Sequence, residues 1–296
     1  MTKNIPVLYF HSMVSLRKVY NSSAQCIKNN PVVFLPFAIF AAFEFIALII
    51  IYLTPRMPLK LLFGPLIRAL EGEKFLHYPM NFILIPKWAS FARTGLTVIL
   101  GSLLTGVATL LVYNLYKKTK INLKEVFKSA LKKYVSLFAI TLLFTLIFHL
   151  LNTAAPKLLI KYFVSGHAKL LFLGPKIWLG PILVCFSFIL ALIVQSAFIY
   201  AIPLLLIGEE TLTKAVLKSF ILFKKLFLKT IILVGLPMLL YIPIILLQSD
   251  STFLITRLFP EAVLLVAILS LLISSLIIDF LITLTATNLY LMHKDE

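Results

Sequence analysis

Six stretches of this chain are long enough to cross a bilayer and almost free of charge: Pro31 to Leu53, Gly95 to Tyr116, Tyr134 to Asn152, Gly180 to Ile207, Thr230 to Leu247 and Ala262 to Leu291. A helix needs about 20 apolar residues to span a hydrocarbon core of about 30 Å. The first stretch contains Glu44 and the last Asp279; the other four carry no acid, lysine or arginine. Only 13% of residues are charged and 61% are hydrophobic, with a mean hydropathy of +1.03. That is too little polar surface to cover a soluble globule of this size. The pattern predicts an all-α, polytopic membrane protein of about six transmembrane helices, forming a single integral membrane domain over residues 1–296.

The formal net charge is +17. A basic chain can address nucleic acid or a membrane surface. Here the lysines cluster at the ends of apolar spans, and no nucleic-acid-binding signature is present, so anionic lipid headgroups are the expected partner and nucleic acid is not. Most of the 28 lysines and arginines fall on one side if both termini are cytoplasmic, which predicts that orientation in the cell membrane. Cys26 and Cys185 form no disulfide framework. The first apolar run begins behind a polar lead and is too long for a signal-peptide core, so no cleavable leader is expected.

A threefold internal repeat is suggested, with units of approximately 12–116, 121–207 and 211–292. Lys124-Glu125-Val126-Phe127-Lys128-Ser129-Ala130 echoes Lys214-Ala215-Val216-Leu217-Lys218-Ser219-Phe220, and more weakly Lys18-Val19-Tyr20-Asn21-Ser22-Ser23-Ala24. Each precedes a span, an outer loop and a return span. At about 100° per residue, Lys214, Lys218 and Lys225 fall on one stripe, as do Lys124, Lys128 and Lys132, and Arg17 with Lys28. Each segment therefore reads as an interfacial amphipathic helix. Arg17, Lys18, Lys124, Lys128, Lys132, Lys214, Lys218 and Lys225 are the candidate anionic-lipid contacts. In the second copy, Asn122 and Glu125 form a capping signal, with Ile121 and Val126 as a hydrophobic staple.

The third unit runs Tyr200-Ala201-Ile202-Pro203, then Glu209-Glu210, then Ala215-Val216-Leu217-Lys218-Ser219 and a basic stretch, and the chain closes on Ala286-Thr287-Asn288-Leu289-Tyr290-Leu291. This resembles bacterial six-helix membrane proteins related to the membrane domain attached to some glycerophosphodiester phosphodiesterases. The resemblance implies a stand-alone membrane domain. It implies no hydrolysis, because the fused members carry catalysis in a separate soluble domain for which this chain has no room.

Charged groups inside spans cost about 2.5–3.5 kcal/mol on insertion scales and are functional candidates by default. Glu44 is one; Asp279 is the other, heading a polar stripe with Ser275, Thr283 and Thr287 that should face the bundle. The repeat register sets His149 and Tyr241 at a depth similar to Glu44, which predicts a polar belt of Glu44, His149 and Tyr241. Gln195 can add an interhelical hydrogen bond. Gly101, Ser102, Thr105, Gly106 and Thr109 form a small-residue face suited to close packing. The segments Met57 to Leu70, Leu158 to Val164 and Lys169 to Phe172 read as interfacial or re-entrant helices that cap the outer mouth together with Trp88 and Trp178.

No nucleophile elbow, Walker loop or zincin pair is present. His11, His77, His149, His167 and His293 share no ligand-like spacing. No enzymatic activity, metal or cofactor is expected. Two functional readings are open. One is a lipid-interacting or scaffold domain, with a possible membrane or cytoplasmic protein partner. The other is a small transporter or channel with a polar pathway through Glu44, His149 and Asp279.

Overall fold

The computed structural model describes residues 15–164, 175–249 and 251–295. Every regular element among them is helical. The order is α1 (Leu16–Asn29), α2 (Pro31–Leu53), α3 (Leu59–Leu70), α4 (Asn81–Tyr116), α5 (Leu123–Lys132), α6 (Tyr134–Val164), α7 (Pro175–Phe198), α8 (Ala201–Leu206), α9 (Leu212–Lys225), α10 (Phe227–Leu239), α11 (Ile242–Ser249) and α12 (Glu261–Lys294). Five segments are long and apolar enough to cross a membrane, or six if the bent pair α10–α11 is one span. The chain is an all-α polytopic membrane protein.

Local sequence explains the breaks. Pro31 opens α2, where its missing N–H would have no helical partner anyway. Asn122 caps α5: its Oδ1 accepts from Lys124 N at 3.2 Å and its Nδ2 donates to Glu125 Oε1 at 2.8 Å. The cap thus reaches the second helical N–H, and Glu125 returns to the Asn122 side chain instead of its backbone. Between α10 and α11 the axis turns by 50°. Pro243, two residues past the turn, has no N–H for the Leu239 carbonyl. Leu240 and Tyr241 instead bond back three residues, to Pro237 and Met238.

Two spans differ from their sequence reading. The second does not start at Gly95; it continues back to Asn81 as one helix that includes Pro86. It runs without a break through Ala89, Ser90, Phe91 and Ala92 past the polar residues. The third does not stop at Asn152, because α6 runs on to Val164 and absorbs the segment read as a separate outer helix. Met57 to Leu70 does contain a helix, α3, which buries Gly64 and Ile67 and exposes Leu61, Leu62, Leu66 and Leu70. Trp88 packs beneath α3 with Ile67, Leu76 and Leu84. The segment Lys169 to Phe172, the side chain of Trp178, and His11 and His167 lie outside the described residues and side chains.

Helices α2, α4 and α12 form the centre. Buried residues make up 33%, 50% and 50% of their apolar windows, against 11% for α6 and 22% for α7–α8. In a bilayer the exposed Leu142, Leu146 and Leu150 of α6 are its lipid-facing coat. Where α6 meets α4, Gly106 leaves room for the Leu137 side chain. A Cβ there would lie 2.7 Å from Leu137 Cδ1.

One end of the bundle gathers α1, the end of α4, and the chain's end. Asn288 Nδ2 of α12 donates to Ser23 Oγ of α1 at 2.8 Å, and Tyr116 Oη donates to Asp295 Oδ2 at 2.9 Å. Lys294 reaches the Ile207 carbonyl, just before α9. We term this end proximal and the other distal.

Candidate functional site

Three charges inside the bundle meet at one point. Arg93 of α4 lies between Glu44 of α2 and Asp279 of α12. Its Nη2 donates to Asp279 Oδ2 at 3.0 Å, and its Nε lies 3.5 Å from Glu44 Oε1. Arg93 also donates to Ser274 Oγ, while Ser275 donates to Glu44 Oε2. Beside this triad Tyr241 Oη and Ser270 Oγ share a hydrogen bond of 2.6 Å. Glu44 and Asp279 lie about 20 Å and about 22 Å along their helices from the proximal ends Pro31 and Lys294, at about 1.5 Å per residue.

Two local departures from α geometry assemble the site. Residues Thr97–Gly101 of α4 and Leu272–Asp279 of α12 are π-helical. The second holds Ser274, Ser275 and Asp279, all three partners that α12 gives the triad. A π turn adds a residue and rotates the remainder of its helix, and such segments recur at functional sites. Tyr241 is aimed by the α10–α11 bend.

Two cavities flank the triad and share no lining residue. The proximal one, about 180 Å³, is lined by Asp279, Thr105, Thr283 and Gln195 together with aromatic rings. The distal one, about 110 Å³, is lined by Glu44, Arg93, Ser90, Tyr241, Gln248 and Ser270. Chain direction fixes their stacking. On α2, Phe37 and Phe40 line the proximal cavity and Ala47, Leu48 and Ile51 the distal one, with Glu44 between them. On α4, Ala89 and Ser90 are distal while Thr105 and Thr109 are proximal; on α12, Ala267 and Ser270 are distal while Thr283 and Thr287 are proximal. The Glu44 side chain is 3% accessible, whereas Arg93 and Asp279 keep 31% and 35%. The site is therefore a charged septum between two hollows, with one carboxylate on each.

Of the sequence candidates, Glu44, Tyr241, Asp279 and Gln195 line the two cavities, and the stripe Asp279, Thr283, Thr287 faces inward. His149 does not join them. It is exposed on α6 and lines neither cavity, so the belt of Glu44, His149 and Tyr241 is not formed. The repeat register matched its depth and not its helix face. Arg93 is the residue that sequence reading missed. Two acids in spans with no described base nearby in sequence were the signal for it, since buried charges are paired.

The candidate lipid-contact residues occupy the surface helices. Arg17, Lys18, Lys124, Lys128, Lys132, Lys214, Lys218 and Lys225 are all exposed, with Lys218 paired to Glu210. That hydrogen bond from Lys218 holds the Glu210 carboxyl below the usual range. Each surface helix buries a pair of small or branched residues four apart: Val19 and Ser23, Val126 and Ala130, Ala215 and Ser219. Ser219 Oγ donates to the Ala197 carbonyl at 2.6 Å, as Ser23 accepts from Asn288.

Fold and site together define a polytopic helical membrane protein with an ion triad at its centre. No protein-family model, no curated protein and no solved structure matches the chain.

Proposed function

We propose that this chain is a transport protein of the cell membrane. Its pathway runs from the distal cavity, past Glu44, Arg93 and Asp279, into the proximal cavity. The supporting observation is the stacking of two cavities on opposite sides of one charged septum. A triad serving only to join helices is best enclosed by packed side chains, because unfilled space forfeits dispersion contacts. Here each carboxylate faces a separate hollow, the arrangement a solute needs to approach the same charges from either face. Arg93 takes the position in this pathway that the sequence reading gave to His149. The test is flux of a solute panel into proteoliposomes of the full chain. Wild-type flux that falls at least tenfold in both Glu44→Gln and Asp279→Asn is the expected result. Absence of flux for every solute with folded wild-type protein would remove the reading.

A second role attaches to the surface helices. Exposed Phe127 and Leu131 on α5, and Leu217 and Ile221 on α9, accompany the exposed lysines. That combination suits a helix lying in the interface, apolar side in the acyl boundary and lysines on anionic headgroups. The common four-residue burial pattern of α1, α5 and α9 supports the threefold repeat, and the lysine bias supports cytoplasmic termini. Kinship with the membrane domain of glycerophosphodiester phosphodiesterases remains part of this proposal. Less anionic lipid retained through purification is expected of a Lys124→Gln, Lys128→Gln, Lys132→Gln variant. Unchanged retention would count against the headgroup contacts.

A further inference from the structure

The triad carries more negative than positive charge. Glu44 and Asp279 are two carboxylates and Arg93 is one guanidinium, and no other acid, lysine or arginine lines either cavity. Tyr241, on the distal cavity, is the other titratable side chain facing the group. A net charge at this depth is costly, so the site requires one further positive charge. The surroundings differ on the two sides. Glu44 is 3% accessible, held by Ser275 and Arg93, and borders the smaller distal cavity of about 110 Å³. Asp279 is bonded to Arg93 through Oδ2, keeps 35% of its side chain accessible, and lines the proximal cavity. There the rings of Phe37, Phe40, Phe144 and Phe198 share a mostly apolar wall with Gln195 and several threonine and serine side chains. Aromatic faces beside a carboxylate attract a weakly hydrated cation, whose desolvation is cheap and whose charge the ring quadrupoles favour. A strongly hydrated divalent metal ion would instead need several charged oxygen ligands in a polar cage, whereas this mostly apolar cavity offers one carboxylate. An apolar cavity of about 150 Å³ is known to hold a benzene-sized guest, so about 180 Å³ suits a compact organic ammonium.

We propose that Asp279, supported by Arg93 and Glu44, is a single-occupancy site for one positive charge, which a proton and a compact organic cation share by competition. This inference rests on the transport reading for its physiological use and on the site's geometry for its chemistry. When the cation enters, the carboxyl O–H bond breaks, the proton leaves to water through the proximal cavity, and the cation takes its place beside the carboxylate. No electron moves and no other bond changes. Coupled to the septum, this exchange makes the chain a proton–cation antiporter.

The test uses the purified full chain in detergent with tetramethylammonium, a compact permanent cation that cannot pass as a neutral amine. Binding is measured by calorimetry from acid to alkaline pH, with proton release followed in weak buffer. The expected result is affinity that rises up to tenfold per pH unit in the acid range and then levels, with protons released on binding. In Glu44→Gln the triad is neutral without a proton, so the pH dependence and proton release should vanish while the protein stays folded. In Asp279→Asn the cation should no longer bind. Wild-type affinity that is flat with pH, proton release that persists in Glu44→Gln, or no tetramethylammonium binding at all overturns the proposal. Binding with proton release but no flux in proteoliposomes would remove the transport reading and leave the site. Flux of other solutes with no proton release would do the reverse.

Discussion

Helices α2, α4 and α12 on one side, and α6 with α7–α8 on the other, have similar apolar composition but opposite duties. The mean hydropathies of their windows lie between 2.1 and 2.7, yet the central windows are 33–50% buried against 11–22% for the outer ones. All three charges of the triad, both cavity-facing π segments and Ser270, Ser274 and Ser275 belong to the central set. The outer pair contributes no charge to the triad: α6 carries the exposed His149 and a lipid-facing row of leucines and lends Phe144 to the proximal cavity, and α7–α8 lends Gln195 and Phe198 to the same wall. Hydropathy reports that a segment can enter a membrane. It does not report which segments meet there, and function depends on the meeting.

The contrast can be broken by mutation, starting at the centre. Arg93→Ala leaves Glu44 and Asp279 facing each other without a cation, and removing one member of a buried ionic group costs about 3–5 kcal/mol. Unfolding in a detergent series should register that loss, and most of it should return when Glu44→Gln and Asp279→Asn are added. A loss under about 1 kcal/mol for Arg93→Ala would mean the triad is already hydrated and independent, which is the range of exposed pairs. At the boundary between the two regions, Gly106→Val drives a branched side chain against Leu137. Overpacking of this kind costs about 1–3 kcal/mol, and Leu137→Ala in the same chain should recover part of it. At the periphery, His149→Leu should change stability by no more than about 0.5 kcal/mol, as for a surface substitution, with flux unaltered. A large effect there would erase the distinction between the two sets.

Much of this arrangement was legible in the chain, and the rest failed for reasons that can be named. Long apolar runs are legible because bilayer thickness sets their minimum length, and Pro31 to Leu53 was read to the residue. Glu44 and Asp279 stood out for the same reason, against apolar backgrounds. Arg93 did not, because Lys87, Trp88 and Ser90 lower the local hydropathy and Pro86 imitates a loop boundary. Only the continuous helix from Asn81 carries it inward. His149 was misjudged because depth along a helix constrains one coordinate and facing constrains another. On α6 an apolar face all round leaves no sequence pattern to set its rotation. The π segments have no sequence signature at all; they are consequences of tertiary packing.

The central claim is that the triad separates two compartments open to opposite faces. Single cysteines at Ser90 and at Thr105, in a chain carrying Cys26→Ser and Cys185→Ser, test it directly when reconstituted vesicles meet a membrane-impermeant maleimide from one side and then the other. Labelling of Ser90→Cys from one face only, and of Thr105→Cys from the opposite face only, is the predicted result. Labelling of both from the same face, or of neither in folded protein, would contradict it.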